Sequence, residues 1–152
     1  MKILLEVDEK IKEDEVIIKC KQIDENIINI QKMIGNIDNG KTSIVFYKDD
    51  KEYYLSLREI LFFETDENAV YGHTINETYK VKYRLHQLEE FLPTNFMRVS
   101  KSTIVNINHI FSINYNITSS SLIQFYKSHK QIYASRIYAR ELRSKLNERR
   151  SL

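Results

Sequence analysis

The sequence holds little of what most active sites are built from. Among 152 residues there are one cysteine, one proline, three glycines and no tryptophan. A single thiol excludes a disulfide framework and cannot assemble a structural zinc site. With three glycines, phosphate-cradling loops are not expected, and neither G-x-G-x-x-G nor G-x-x-x-x-G-K-[ST] occurs. No apolar run approaches the roughly 18 residues of a membrane span. Residues 1–10 carry acids where a secretory signal would continue its apolar stretch, so a cytoplasmic location is expected. His73, His86, His109 and His129 are scattered, none at metal-ligand spacing with another His, Cys or carboxylate, so neither metal nor cofactor is expected. Cys20 sits in an apolar alternation, which predicts a small buried side chain rather than a nucleophile. Glu89 and Glu90 are neighbours on a short helical pattern and point in different directions, which suits a solvated edge better than acid–base chemistry. No arrangement of Ser, His and Asp stands out, and no enzyme is expected.

One further absence is the most informative. No Asp or Glu occurs between Glu90 and Glu141, while Arg98, Lys101, Lys127, Lys130, Arg136 and Arg140 fall inside that window. The net charge of +2 therefore hides a division. Residues 1–40 hold 6 basic and 9 acidic side chains, residues 41–95 hold 7 and 10, and residues 96–152 hold 10 and 2. Such a segment presents a positive field, suited either to a solvated face or to a polyanion, with nucleic acid the first candidate.

What is present can build a core: 42% hydrophobic residues, including 10 Tyr and 7 Phe. The length suits one domain, or one domain with a small attachment. Ile3, Leu5 and Val7 alternate, as do Val16, Ile18 and Cys20, predicting two short strands. Ile23, Ile27, Ile30 and Ile34 then recur at helical spacing, with Asp24 placed to cap and Gly35 to terminate. The polar run over residues 36–40 is the expected domain boundary. From residue 44 onward short strand patterns follow one another. Turns are expected at residues 48–51, 66–68 and 76–77, and a short helix at Leu85, Leu88 and Leu92, stopped by Pro93. An amphipathic helix from about Arg136 closes the pattern, with Ile137, Leu142 and Leu146 inward, and Arg149 and Arg150 in a tail beyond it. Closely spaced strands without long intervening helices predict an antiparallel, mainly β fold with short helices (α+β).

Two polar clusters lie in the acid-free window. Arg98, Ser100, Lys101, Ser102 and Thr103 crowd a strand-to-turn segment able to donate to phosphates and base edges. Ser135 and Arg136 open the closing helix, where backbone N–H groups and the helix dipole also attract anions.

The order FFETDEN, YKVKYRLHQLEEFLPTNFMRVSKSTIVNINHI and YASRIYARELRSKL resembles the LytTR-type DNA-binding domain of bacterial response regulators, over about residues 41–148. Its signature is the Phe-x-Arg-x-x-[Arg/Lys]-Ser-x-x-Val-Asn run around Arg98, Lys101, Ser102, Val105 and Asn106. The resemblance implies antiparallel sheets whose loops, not a recognition helix, enter the major groove of duplex DNA. It places contacts at the turn carrying Asn68 and Tyr71, at Arg98, Ser100, Lys101 and Ser102, and at Ser135, Arg136, Tyr138 and Arg140. The usual pattern has His at Ser100 and Arg at Lys101. Lysine is a point charge without the bidentate fork, so Lys101 is expected on phosphate rather than guanine. Around Asp66 and Glu67, the acids either turn away or accept from cytosine. The resemblance is to a stand-alone regulator: residues 1–40, a ββα extension for regulation or dimerisation, are too short for a receiver domain. Expected partners are double-stranded DNA, a second copy of the chain, and a small membrane protein contacting residues 1–40. The competing readings are a protein–protein module whose basic face binds an acidic partner, and an RNA binder. For the latter, Tyr53, Tyr54, Tyr79 and Tyr83 would have to be exposed rather than packed in the sheet.

Overall fold

Period-two alternation becomes sheet only where a second strand pairs with it, and this chain shows both outcomes. The computed structural model describes residue 2, residues 4–10, residue 12, residues 15–39 and residues 44–150. It divides into two units, Met1–Asp38 and Asn39–Leu152. In the first, helix α1 (Glu25–Asn39) starts as the sequence predicts. The Ile27 N–H donates to Asp24 Oδ1 at 2.9 Å, and Ile27, Ile30 and Ile34 are half-buried. Gly35 does not end it; the helix runs on to Asn39. The two expected strands are not formed. Among the described residues, nothing pairs with Leu4 to Val7 or with Val16 to Cys20, and Leu5 and Val7 stay more than four-fifths exposed. Ile3 lies outside the described residues. With no ladder to bury one face, Cys20 is exposed as well, contrary to the buried thiol expected.

The second unit is built on two antiparallel sheets. The larger contains β1 (Phe46–Lys48), β2 (Lys51–Tyr53), β3 (Phe62–Asp66), β4 (Ala69–His73), β5 (Thr78–Val81), β6 (Phe96–Ser100) and β7 (Thr103–Asn106), ordered β2-β1-β5-β4-β3-β7-β6. The smaller contains β8 (Ile110–Asn114), β9 (Ser121–Phe125) and β10 (Gln131–Ala134), ordered β10-β9-β8. Helix α2 (Leu85–Phe91) follows β5, and α3 (Arg136–Arg150) follows β10. Asp49 and Asp50, both at positive φ, make the tight β1–β2 turn expected there.

Strand alternation sends side chains to two cores, one on each face of the large sheet. Phe63, opposite Gly72 and Ile104, packs with Phe46, Val70 and Val81 under Leu85 and Leu88 of α2. Phe62, opposite His73 and Val105, packs with Ile123, Phe125 and Ile132 of the small sheet and with Ala139 and Leu142 of α3. The stripe of α3 is therefore Ala139, Leu142 and Leu146. Ile137 lies off that stripe and is 75% exposed, a correction to the inward position expected. Arg149 is likewise not in a tail: it is helical and donates to Asn108 Oδ1 at 2.7 Å.

Three polar or small residues make this packing possible. Asn106 is buried. It donates to Ile60 O and accepts from Asn95 Nδ2 and the Asn108 N–H, tying β7 to the segment leading into β3. Gly72 lies under the stacked rings of Phe46 and Phe63, where a Cβ would sit 2.8 Å from one ring and 3.1 Å from the other. His73 stacks on Phe62 with ring centroids 4.2 Å apart, next to Thr78, Glu64 and Lys130. Burial first, and the Lys130 charge second, lower its pKa to about 4.

Gly72→Ala is expected to cost about 1–3 kcal/mol in urea denaturation, because the rings must move. A second outcome follows from His73. The unfolded chain binds its proton near pH 6.5 and the folded chain near 4, so stability should fall as pH drops through that window. His73→Gln should flatten the slope of urea midpoint against pH between 6.5 and 4; an unaltered slope would refute the assignment.

Candidate nucleic-acid interface

Each segment singled out in the sequence is shaped by local chemistry. The β3–β4 turn has two residues, Glu67 at φ 53° and exposed Asn68, because Asp66 and Ala69 still pair across it. The β6–β7 turn follows a bulge, where the register shifts between Arg98 and Ser100. Ser100 Oγ accepts from the Ser102 N–H at 3.2 Å, closing the turn and leaving Lys101 exposed. At α3, the Ser135 carbonyl accepts the first helical bond, from the Ala139 N–H at 2.8 Å, and Arg136 lies exposed in the first turn.

Two backbone hydrogen bonds bring these segments together. The Thr65 N–H donates to Ser102 O at 2.8 Å, joining the β6–β7 turn to the end of β3. The Ser135 N–H donates to Val99 O, also at 2.8 Å, joining the start of α3 to the bulge. Asn68 and Lys101 thus belong to two turns, and Arg136 to the helix start tied to them, at one end of the large sheet. Among the described residues, neither Lys101 nor Arg136 takes part in a salt bridge.

The remaining sequence-predicted residues divide. Ser100 is half-buried and Ser102 exposed, both within the turn, while Ser135 is half-buried and immediately precedes α3. Arg140 is exposed one helical turn beyond Arg136, on the same face, and Tyr138 is half-buried. Tyr71 does not stand at the turn tip. It lies within β4, half-buried, between Glu64 of β3 and Lys80 of β5. Arg98 is directed into the protein's own turn: its guanidinium donates to Ser100 O at 2.8 Å, to Lys101 O at 2.6 Å and to Glu89 at 3.2 Å. It holds the backbone that carries Lys101.

Sequence reasoning missed a neighbouring group of cations. Lys80, Lys82 and Arg84 line an open cleft of about 630 Å³ shared with Asn68, Arg98 and Lys101. The visible signal is the alternation Lys80, Lys82, Arg84, which precedes the acid-free window. Of the tyrosines weighed for RNA, Tyr53 packs on Tyr79 and Tyr83 on Phe91, whereas Tyr54 is exposed and donates to Glu52. Among the described residues no group of His, Cys, Asp and Glu could hold a metal, and no helix is long and apolar enough to cross a membrane.

Arg98→Ala removes three charge-assisted bonds from a side chain only 21% exposed. A stability loss of about 1–3 kcal/mol is expected, with faster amide exchange at Lys101 and Ser102. Arg98→Lys, which cannot reach three acceptors at once, should recover only part of it. Full recovery by lysine would contradict this role.

The comparisons with known proteins agree with this geometry. A family model described as the LytTr DNA-binding domain matches residues 50–147. The chain is 28% identical, over 97% of its own length and 99% of theirs, to uncharacterized HTH-type transcriptional regulators of Staphylococcus aureus strains NCTC 8325 and COL. Among solved structures, it is similar to the LytTr DNA-binding domain of a protein described as a methyl-accepting/DNA response regulator from Bacillus cereus. That likeness has a TM-score of 0.63 at 26% identity and covers 69% of this chain and 97% of the other. The relatives' helix-turn-helix label does not describe this architecture, since among the described residues no helix directly follows another and five strands separate α2 from α3. With an antiparallel scaffold, polar turns gathered at one end and a family match across most of its length, the chain belongs to the LytTr family of DNA-binding domains.

Proposed function

We propose that the chain is a bacterial transcription regulator that binds duplex DNA sequence-specifically, inserting turns of its β-rich domain into the major groove. The observation that carries this reading is the joining of the β3–β4 turn, the β6–β7 turn and the start of α3 by two backbone hydrogen bonds. Groups so placed meet one ligand together. In this reading Asn68 and Arg136 meet base edges, Arg136 having the fork that suits guanine. Lys101, with Ser100, Ser102 and Ser135 beside it, meets phosphate, and Arg140 continues the backbone contact along α3. Tyr71 supports the β3–β4 turn from within the sheet and is a lesser contact. Arg98 acts through the turn it holds.

Residues 1–40 are assigned to regulation or dimerisation, with the half-buried Ile27, Ile30 and Ile34 face of α1 as the surface to test. The partners in this reading are double-stranded DNA, a second copy of the chain and a small membrane protein. The protein works in the cytoplasm, where its DNA is, and catalyses no reaction.

The experiment is a fluorescence-anisotropy titration of a labelled duplex from the chain's own promoter against scrambled duplex, at about 150 mM salt. Tighter binding of the promoter is expected, and equal weak binding would favour the protein–protein module. Lys101→Ala should lower the salt slope by roughly one with little change in sequence preference. Arg136→Ala should cost about 1–3 kcal/mol and relax preference at one position. Unchanged affinity in both variants would overturn the site assignment.

A further inference from the structure

We propose that the duplex footprint extends past the three predicted segments onto the exit of β5, where Lys82 and Arg84 hold the sugar-phosphate backbone on the wall of the groove opposite Lys101. This rests on the DNA-binding reading above and deepens it. Strand order supplies the geometry. β5 lies beside β4, and Val70 opposite Val81 places the β5 exit at the same end of the sheet as the β3–β4 turn. β7, which begins at the turn carrying Lys101, lies on the other side, beside β3. Three strand spacings separate β7 from β5, about 14 Å, close to the roughly 12 Å width of the major groove. A β3–β4 turn entering the groove would therefore leave one set of cations beside each backbone.

The charges are arranged accordingly. The cleft between these elements is lined by Lys80, Lys82, Arg84, Arg98 and Lys101, and Glu67 is the one acid in its lining. Arg98 is committed to Glu89 and to turn carbonyls, but among the described residues Lys82 and Arg84 are in no salt bridge. Both are exposed. Lys82 is held with its Nζ 4.3 Å from the centre of the Tyr47 ring, which fixes the ammonium without neutralising it. The acidic Asp49 and Asp50 turn lies at the far end of the sheet, because β1 runs antiparallel to β5 with Tyr47 opposite Lys80. Among the described residues, the edge facing the duplex thus carries Arg136, Lys101, Lys82 and Arg84, with Asp66 and Glu67 at the turn that would enter the groove and Glu89 paired with Arg98.

The test titrates the labelled promoter duplex and scrambled duplex with wild type, with the double variant Lys82→Gln, Arg84→Gln, and with Lys101→Ala, between about 50 and 200 mM salt. The double variant should keep its urea midpoint and lower the salt slope by about two. It should weaken both duplexes by a similar factor, so that their affinity ratio is preserved. Lys82→Arg with Arg84→Lys, which keeps both charges, should retain the wild-type slope. An unchanged slope in the double variant alongside a lowered one in Lys101→Ala would overturn the extended footprint and leave the DNA-binding reading standing. A changed ratio between duplexes would also overturn it, since that marks base contact. Wild-type protein that binds neither duplex would remove both.

Discussion

Two main-chain hydrogen bonds, from Thr65 to Ser102 and from Ser135 to Val99, are the constraint on which the rest depends. Each joins the end of one element to the turn of another, and the second is possible because β6 bulges at Val99 just before its turn. Without them the β3–β7 ladder would still set the two hairpins side by side, but the start of α3 would lose its tie to the β6 bulge and the β6–β7 turn its tie to the end of β3. Being main-chain, the bonds are indifferent to the side chains they position. The identities of Asn68, Lys101 and Arg136 are therefore free to set what is bound while the frame stays fixed. Rigid presentation also limits the entropy lost when a long ligand is met at several points.

The frame draws on residues that a functional reading would assign elsewhere. Arg98 and Asn106 both fall in the run that carries the family resemblance, yet both are structural. Asn106 satisfies main-chain groups between β7 and the start of β3, and Arg98 gathers two turn carbonyls around its guanidinium. The division is physical. A planar cation surrounded by carbonyl oxygens is well satisfied inside a turn, whereas a lysine at its tip keeps its charge in solvent, available to an anion.

Much of this was legible in the sequence, because strands declare themselves by alternation and turns by composition. The strands β3 to β10, the Asp49 and Asp50 turn, and the stop at Pro93 lie where patterning places them, whereas β2 closes at Tyr53, before the apolar Tyr54, Leu55 and Leu57 that pattern as its strand. What failed, failed for want of non-local information. The alternations at Leu5 and Val7 and at Val16 and Ile18 look like those that became β4 or β9, but among the described residues no strand pairs with them. Ile137 is apolar on an amphipathic helix, but the side that packs is the one carrying small Ala139. Lys82 and Arg84 could not be tied to Lys101, since adjacency of β5 to β4 is a property of strand order rather than of the neighbouring residues. Arg149 looked like a tail because its partner Asn108 lies some forty positions earlier.

The claim that one duplex is met by these jointly held turns is tested most directly by backbone amide NMR. The labelled protein is titrated with promoter duplex and the perturbed residues are mapped. The largest shifts should fall on Glu67, Asn68, Lys101, Ser102, Arg136 and Ile137, and should saturate together with a single affinity. Shifts concentrated instead at Asp49 and Asp50, or on the exposed Phe111 and Tyr126 pair of the small sheet, would contradict it.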